Sequence, residues 1–332
     1  MERLDHFMAR ANAAYYATHD PFGDFTTAPE VSQVFGELLG LWAAVVWQNM
    51  GAPDPLLLVE CGPGRGTLMA DALRAIRRMV PEFAAALRVH LVETSQRLRA
   101  VQAGAVPDAI FHDRIDTLPD GPMILLANEF LDALPIRQFV RRGDAWDERY
   151  IADGAFTVGR MQSAAPVAHQ QRRRITSALR DGEVVEVGEV AAELVTYLAS
   201  RIATQGGAAL FIDYGPEHSG PGDSLQALRS GQTADPLASP GAADLTAHVD
   251  FEALAQAAAG TTVHGPLAQG LFLTRLGLFQ RTGVLARTLQ PAQGAAMLDG
   301  ARRLAEPDQM GRLFKVLCIS HPALPEPPGF TA

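Results

Sequence analysis

The sequence predicts an α/β fold: a mostly parallel, Rossmann-like sheet with an N-terminal helical cover and a small antiparallel β insertion. Three observations predict it. Apolar strand-like runs alternate with helical patterns between residues 51 and 136, and β-α-β-α-β order argues for parallel strands joined by right-handed crossovers. A glycine-rich loop, "CGPGRG" at 61–66, follows the first of those strands, with Glu60 immediately before it. The alternation then breaks at about 137 and resumes at about 188, which marks an insertion.

Taken in order, residues 2–14 have a helical pattern and lead into "YYATHDPFGDFTTAPE", a polar Gly/Pro/Asp/Thr loop. Pro29 and Glu30 open a helix to about Met50, with Val31, Val34, Phe35, Leu38, Leu39 and Trp42 at helical spacing. Leu56–Val59 reads as a strand covered on both faces, and Thr67–Met79 as a helix. "VHLVET" (89–94) is a second strand, "RLRAVQA" a helix, "AIFHD" (109–113) a third strand and "MILLANEF" (123–130) a fourth. "RQFVRR", "WDERYI" and "AFTVG" are short β pieces separated by turns, so 137–187 reads as antiparallel. "EVAAELVTYLASRIAT" is helical and "GAALFIDYG" (207–215) a strand. A polar loop from 216 to about 244, a helix at "VDFEALAQAAA" and a last strand at "RLFKVLCIS" (312–320) complete the pass. The expected organisation is a cover (1–50), a core (51–136 and 188–332) and the insertion.

Bulk properties narrow the function. The 332 residues are 48% hydrophobic and 20% charged, a globular composition. A net charge of −9 argues against a nucleic-acid binder, and the run Arg172–Arg174 reads as solvated surface. Two cysteines, Cys61 and Cys318, make neither a disulfide framework nor a zinc site, and they read as buried thiols in a reducing cytosol. The N-terminus does not resemble a signal peptide. The longest apolar run, "LLGLWAAVVW", is far short of the ~20 residues that span a bilayer. The expectation is a cytoplasmic protein with no metal and no membrane insertion.

In an open parallel sheet, ligands collect beyond the carboxyl ends of the strands, where the glycine loop lies. Gly62, Gly64 and Gly66 let the backbone turn and approach a ligand closely, and the helix that follows turns its N–H groups toward the same place. The spacing G-x-G-x-G is not the dinucleotide pattern G-x-G-x-x-G. Glu60, immediately before the loop, would repel a pyrophosphate. S-adenosylmethionine fits better: it has no phosphates, its ammonium suits Glu60, and its ribose diol suits Glu93 at the end of the second strand. The bland alternative is a tight βα turn beside a helix-capping acid.

The blocks "YYATHDPFGDFTTAPEVSQVFGELLGLW", "VECGPGRGTLMADALR", "HLVETSQRLRAVQ", "ANEFLDALPIRQF", "GGAALFIDYG", "DPLASPGAADLTAHVDF" and "GPLAQGLFLTRLGL" resemble, in this order, the MidA-like methyltransferases. These include the mitochondrial complex I assembly factor of that family. The resemblance implies a class I S-adenosylmethionine-dependent methyltransferase fold. For mitochondrial members it implies symmetric ω-NG,ω-NG′ dimethylation of an arginine in a complex I core subunit, hence a protein substrate. Ala14 stands where the family usually has glycine, and Cys61 where an aliphatic residue is common.

Methyl transfer is an in-line displacement that needs close alignment. An arginine acceptor is charged at ordinary pH and can be held by a carboxylate pair. Glu129 and Asp132 in "NEFLD" are the expected catalytic pair, with Asn128 beside them; a turn cap and a solvated acid are the alternative. Asp213 and Tyr214 end the next strand at the same edge. By resemblance, "GDFTTAPE" folds over the cofactor with Asp24, Thr26 and Thr27, although Thr27 is equally placed as a helix N-cap. Asp113 either approaches the adenine or is a surface acid. Asp244, Thr246 and His248 border the substrate region without assigned roles. A competing reading is an assembly module that keeps the cofactor pocket but docks a partner through 137–187. Another is a methyltransferase for a different protein or a small molecule.

Overall fold

The computed structural model describes residues 1–19, 26–143, 145–160 and 179–331. Asp24 and the Arg172–Arg174 run lie outside the described residues. The strands are β1 (Glu2–Arg3), β2 (Leu56–Cys61), β3 (Leu87–Val92), β4 (Ile110–His112), β5 (Met123–Asn128), β6 (Arg137–Arg142), β7 (Ala145–Ala152) and β8 (Ala155–Arg160). They continue with β9 (Val184–Val187), β10 (Gly207–Tyr214), β11 (Gln226–Arg229), β12 (Gln232–Ala234), β13 (Asp244–Thr246), β14 (Thr262–Ala268) and β15 (Phe314–Ser320). The helices are α1 (Leu4–Thr18), α2 (Ala28–Val31), α3 (Gln33–Asn49), α4 (Thr67–Met79), α5 (Pro81–Ala86) and α6 (Gln96–Ala105). After them come α7 (Glu189–Gln205), α8 (Phe251–Ala257), α9 (Gln269–Arg275), α10 (Leu278–Ala286), α11 (Pro291–Ala305) and α12 (Met310–Leu313).

The chain forms two compact units. One holds residues 1–25, 130–197 and 214–257; the other holds 26–129, 198–213 and 258–332. The second carries a mixed seven-stranded sheet in the order β14-β15-β10-β5-β2-β3-β4. The pairs β2–β3, β2–β5, β3–β4 and β5–β10 are parallel, and β14–β15 is antiparallel. From β2 the chain runs outward through β3 to β4, then returns to β5 on the other side of β2. That reversal is a topological switch point, where the loops leaving two adjacent strands diverge and leave a crevice. β2 and β5 are buried along their whole length, which is why both read as continuous apolar runs.

Helix α3 packs on α4 through glycines. The spacing Gly36–Gly40 places both on one face, and a Cβ at Gly40 would lie 2.7 Å from the Cα and carbonyl O of Ala72. Behind that contact, the buried Glu37 receives Arg281 Nε at 2.7 Å and Arg74 Nη2 at 3.2 Å. The helix expected from Pro29 to Met50 is two helices. Ser32 is extended (φ −156°) and its Oγ accepts the Val34 N–H at 3.3 Å, so serine N-caps α3 and ends α2.

The first unit contains two smaller sheets. One runs β1-β7-β6-β9, with β8 also on β7, and all its pairs are antiparallel. A buried ion pair crosses it: Arg137 Nε and Nη2 donate to the two oxygens of Glu148 at 2.7 and 2.8 Å. The other sheet, β12-β11-β13, lies where the sequence suggested only loop (216–244). Its strands are three or four residues long, too short to show a period. The helices α9–α12 also lacked a sequence assignment. Among the described helices none is long and apolar enough to cross a membrane.

Because the Ala72 backbone cannot yield as a side chain would, Gly40→Ala should cost about 1–3 kcal/mol by overpacking. Thermal denaturation should show a lowered midpoint; an unchanged midpoint would mean that the α3–α4 contact is looser than described.

Candidate active site

The second unit's switch point carries the predicted residues in two loops, one after β2 and one after β5. Glu60 lies within β2, opposite Leu126 of β5. It is 3% exposed. Burial raises its carboxyl pKa to about 8, against a partial offset from the Met69 N–H. Its Oε2 is buried without a hydrogen-bond donor. A buried acceptor of that kind is costly unless a ligand supplies the donor.

The glycine loop turns because its glycines adopt left-handed backbone: φ is +62° at Gly62, +56° at Gly64 and +80° at Gly66. Gly66 is also the N-cap residue of α4, so the loop ends at that helix's N-terminus. A residue without a sequence signal fastens the loop. Gln102 on α6 donates from Nε2 to the Gly64 carbonyl at 2.8 Å and to Glu93 Oε2 at 3.2 Å. One amide thus ties the glycine loop to the acid after β3. Gln102 sits on the buried face of α6. Glu93 Oε1 accepts the Ser95 N–H at 2.7 Å, and burial raises the Glu93 pKa.

Asp113, after β4, is 70% exposed on its side chain and pairs with Arg99 Nη2 at 2.7 Å. The same guanidinium donates from Nε to the Glu93 carbonyl at 2.7 Å, linking the loops after β3 and β4.

Beyond β5, Glu129 has left-handed backbone (φ +49°), and its N–H donates to Ile212 O at 2.8 Å. A non-glycine residue in that region stores strain, and such strain concentrates at functional sites. Glu129 Oε1 accepts the Ala28 N–H at 2.8 Å and Asn128 Nδ2 at 3.1 Å. The carboxylate therefore occupies the capping place expected of Thr27, which is the N-cap residue of α2 but makes no side-chain cap bond. Burial raises Glu129 to about 7, with the Ala28 and Asn128 donors and Arg303 pulling the other way. Asn128 Oδ1 is buried without a partner. Thr26 lines an open cleft with Glu30, Arg302 and Arg303, and Glu30 Oε1 accepts Thr67 Oγ1 at 2.5 Å at the start of α4.

The structure therefore gathers Glu60, Gly62, Gly64, Gly66, Glu93, Asn128, Glu129, Thr26 and Thr27 in the second unit, with Asp113 on its flank. Asp132 belongs to the first unit. It is buried there, and its carbonyl accepts the Ala247 N–H at 3.0 Å. The same unit holds Tyr16, whose hydroxyl donates to Asp244 Oδ1 at 2.8 Å, and Tyr214, whose hydroxyl donates to Thr246 Oγ1 at 2.7 Å.

Residues 38–267 match a family of S-adenosyl-L-methionine-dependent methyltransferases. The chain belongs to this family. The curated protein arginine methyltransferase NDUFAF7 homolog, mitochondrial, of Drosophila melanogaster is 34% identical over 96% of this chain and 80% of its own length. Protein arginine methyltransferase NDUFAF7, mitochondrial, of Homo sapiens is 32% identical over 96% of this chain and 79% of its own. A Burkholderia thailandensis structure bound to S-adenosyl-homocysteine is similar with TM-score 0.80 and 25% identity, covering 99% of this chain and 90% of that one. The cofactor is thus S-adenosylmethionine. The residues on hand fit it: an orphaned acid for the ammonium, a left-handed glycine turn and a second acid at a strand end.

One expectation falls. The cytoplasmic assignment is overturned by these relatives, which carry the designation mitochondrial. It rested on the pair of free thiols, an N-terminus unlike a signal peptide and the shortness of the longest apolar run. Cys61 and Cys318 are indeed buried and unpaired, and burial raises Cys61 to about 12. Inert buried thiols report packing, not an address.

Two outcomes follow from this geometry. Gly64→Val forces a β-branched residue into left-handed backbone and should abolish S-adenosylmethionine binding by calorimetry while a folded domain remains by circular dichroism. Glu60, with a folded-state pKa of about 8 against 4.5 unperturbed, binds more protons folded than unfolded across that window. Its contribution to stability is therefore lost as pH rises from the lower value to the higher. Glu60→Gln should flatten the fall in melting temperature of the cofactor-free protein over that range, and an equally steep fall would refute the assignment.

Proposed function

We propose that this protein is a protein arginine N-methyltransferase whose acceptor is a core subunit of respiratory complex I. The relatives named as protein arginine methyltransferases support the reaction, and the family resemblance in the sequence supports the acceptor. The single observation that carries the chemistry is Glu129: a half-buried carboxyl brought to about 7 at the switch point of the sheet. Glu60 and the Gly62–Gly66 turn are assigned to the methionine end of the cofactor, Glu93 to the ribose, and Asp113, Asn128, Thr26 and Thr27 to its remaining edges. Residues 137–187 are assigned to substrate or partner binding.

When bound, S-adenosylmethionine supplies an electrophilic methyl on its sulfonium. Glu129 does the rest through its two oxygens. Oε1 is fixed by the Ala28 and Asn128 donors, which leaves Oε2 to accept an N–H of the guanidinium and direct that nitrogen. Methylation of that nitrogen would break the cofactor's sulfur–methyl bond, with the neutral thioether as leaving group, and Oε2 would take the proton the nitrogen gives up. A base with a pKa near 7 suits that transfer, because it is deprotonated at working pH yet basic enough to take the proton. Asp132, three residues on, is assigned as the second acid. Strand β5 and the α2 backbone hold the Glu129 geometry, so the carboxylate needs little reorganisation during transfer.

Glu129→Gln keeps an oxygen for the Ala28 N–H but cannot accept the proton. Transfer of labelled methyl to arginine should fall by about 10²–10⁴-fold, with cofactor affinity within a few-fold of the parent. In the parent, kcat should rise with pH through about 7 and then level, since the base acts deprotonated. Undiminished transfer by the variant, or a flat profile across that range, would remove Glu129 from the chemistry.

A further inference from the structure

On one face of the second unit's sheet, the core side chains of β2 and β5 run in two adjacent rows. Leu56 and Leu58 lead to Glu60 on β2, and Ile124 and Leu126 lead to Asn128 on β5. Side chains two apart on a strand share a face, and these four apolar residues belong to one cluster with Leu68, Met69 and Leu73 of α4. Glu60 is the register partner of Leu126 in a parallel pair. Asn128 therefore lies on the face of Glu60, one strand over and two residues further along. That offset is about 4.8 Å across and about 6.6 Å along the sheet. Each apolar row thus ends in a polar side chain at the carboxyl end of its strand.

Both of these polar groups hold a buried acceptor atom with no donor. Glu60 is 3% exposed and Asn128 9%, and among the described residues neither Glu60 Oε2 nor Asn128 Oδ1 has a hydrogen-bond partner. The other end of the Asn128 amide fixes its orientation. Nδ2 donates to Glu129 Oε1 at 3.1 Å, and the same oxygen accepts the Ala28 N–H at 2.8 Å. A flipped amide would set its oxygen against a carboxylate oxygen, so Oδ1 is the end turned away from Glu129. One buried acceptor left without a donor is costly. Two of them, on one face of neighbouring strands, match a single group that carries several donors. An ammonium has three N–H donors and a charge that suits the acid, whereas a hydroxyl brings one donor and a carboxylate none.

We propose that Asn128 is the second acceptor of the cofactor's ammonium, taking one N–H at Oδ1 while Glu60 Oε2 takes another, and that it selects for a cofactor bearing the amino group. The proposal rests on the assignment of Glu60 to the methionine end, and it narrows the place of Asn128 from the cofactor's edge to its ammonium. The amide that reads the ammonium also donates to Glu129. A bound cofactor then holds this amide from both ends, and the loaded site presents the Glu129 carboxylate in one orientation.

The test uses the full chain and two probes titrated by calorimetry. One is S-adenosyl-homocysteine; the other is its deaminated analogue, 5′-S-(3-carboxypropyl)-5′-thioadenosine. The parent should prefer the probe with the amino group. Asn128→Ala and Asn128→Leu should each lose about ten- to a hundredfold in affinity for S-adenosyl-homocysteine, the value of one hydrogen bond to a charged group, and less than about threefold for the analogue. Asn128→Asp keeps an acceptor and should keep the preference. A side chain that only supports the fold would weaken both probes alike and would not be rescued by aspartate. Three variants of different size and polarity guard against the misfolding of any one. Equal binding of both probes by the parent would mean that water serves the two acceptors, and would overturn the proposal. An equal loss of both probes in Asn128→Ala and Asn128→Leu, or an undiminished preference in them, would overturn it too. The assignments fail separately. Preference lost in Glu60→Gln but kept in Asn128→Ala leaves Glu60 at the ammonium and removes Asn128. The reverse pattern leaves Asn128 there and removes Glu60. No titration contains a methyl acceptor, so the arginine reading stands or falls on its own labelling experiment.

Discussion

A carboxyl group buried at the end of β2, with one oxygen lacking a donor, is the constraint around which the rest of the site is organised. An isolated buried carboxylate is costly, and the group responds by holding its proton to about pH 8. The cost has a functional counterpart. The oxygen lies beside a left-handed glycine turn that leads into a helix N-terminus, and the cationic group of the cofactor assigned to it would repay the burial. Gln102 then couples this loop to Glu93, and Arg99 couples Glu93 to Asp113. Three successive strand ends on one side of the switch point are thus joined by side chains that themselves need not touch the cofactor.

Glu129 shows the same logic on the other side of that point. Its left-handed backbone ends β5 sharply, and its carboxylate takes over the capping of α2 from Thr27. The polypeptide just before α2 is thereby anchored to the residue assigned to proton transfer. The loops assigned to cofactor and acceptor leave adjacent strands of one sheet, about 4.8 Å apart, and rigid strands are a better base for methyl alignment than mobile loops.

Much of this was legible in the residues. β2 and β5 announced themselves as continuous apolar runs, the glycine loop by its spacing, and the antiparallel pieces β6–β8 by their turns. Glu60, Glu93 and Glu129 were singled out because acids at strand ends stand out against apolar neighbours. What stayed hidden has physical reasons. Gln102 meets Gly64 across 38 positions, and a helix glutamine has no local mark of such a contact. The break at Ser32 lay inside an unbroken helical period. The strands β11–β13 are too short for periodicity. The cellular address was misread because free cysteines speak to packing rather than place.

The most direct measurement is the proton balance of S-adenosylmethionine binding, obtained by calorimetry in buffers of different ionisation enthalpy. An ammonium seated on Glu60 lowers that acid's pKa, so binding below about pH 8 must release a proton. The account predicts release that grows from the acid-side of neutrality, fades above that pH, and vanishes in Glu60→Gln. Binding with no proton released, or with the same release in the variant, would contradict it and move the cofactor's ammonium elsewhere.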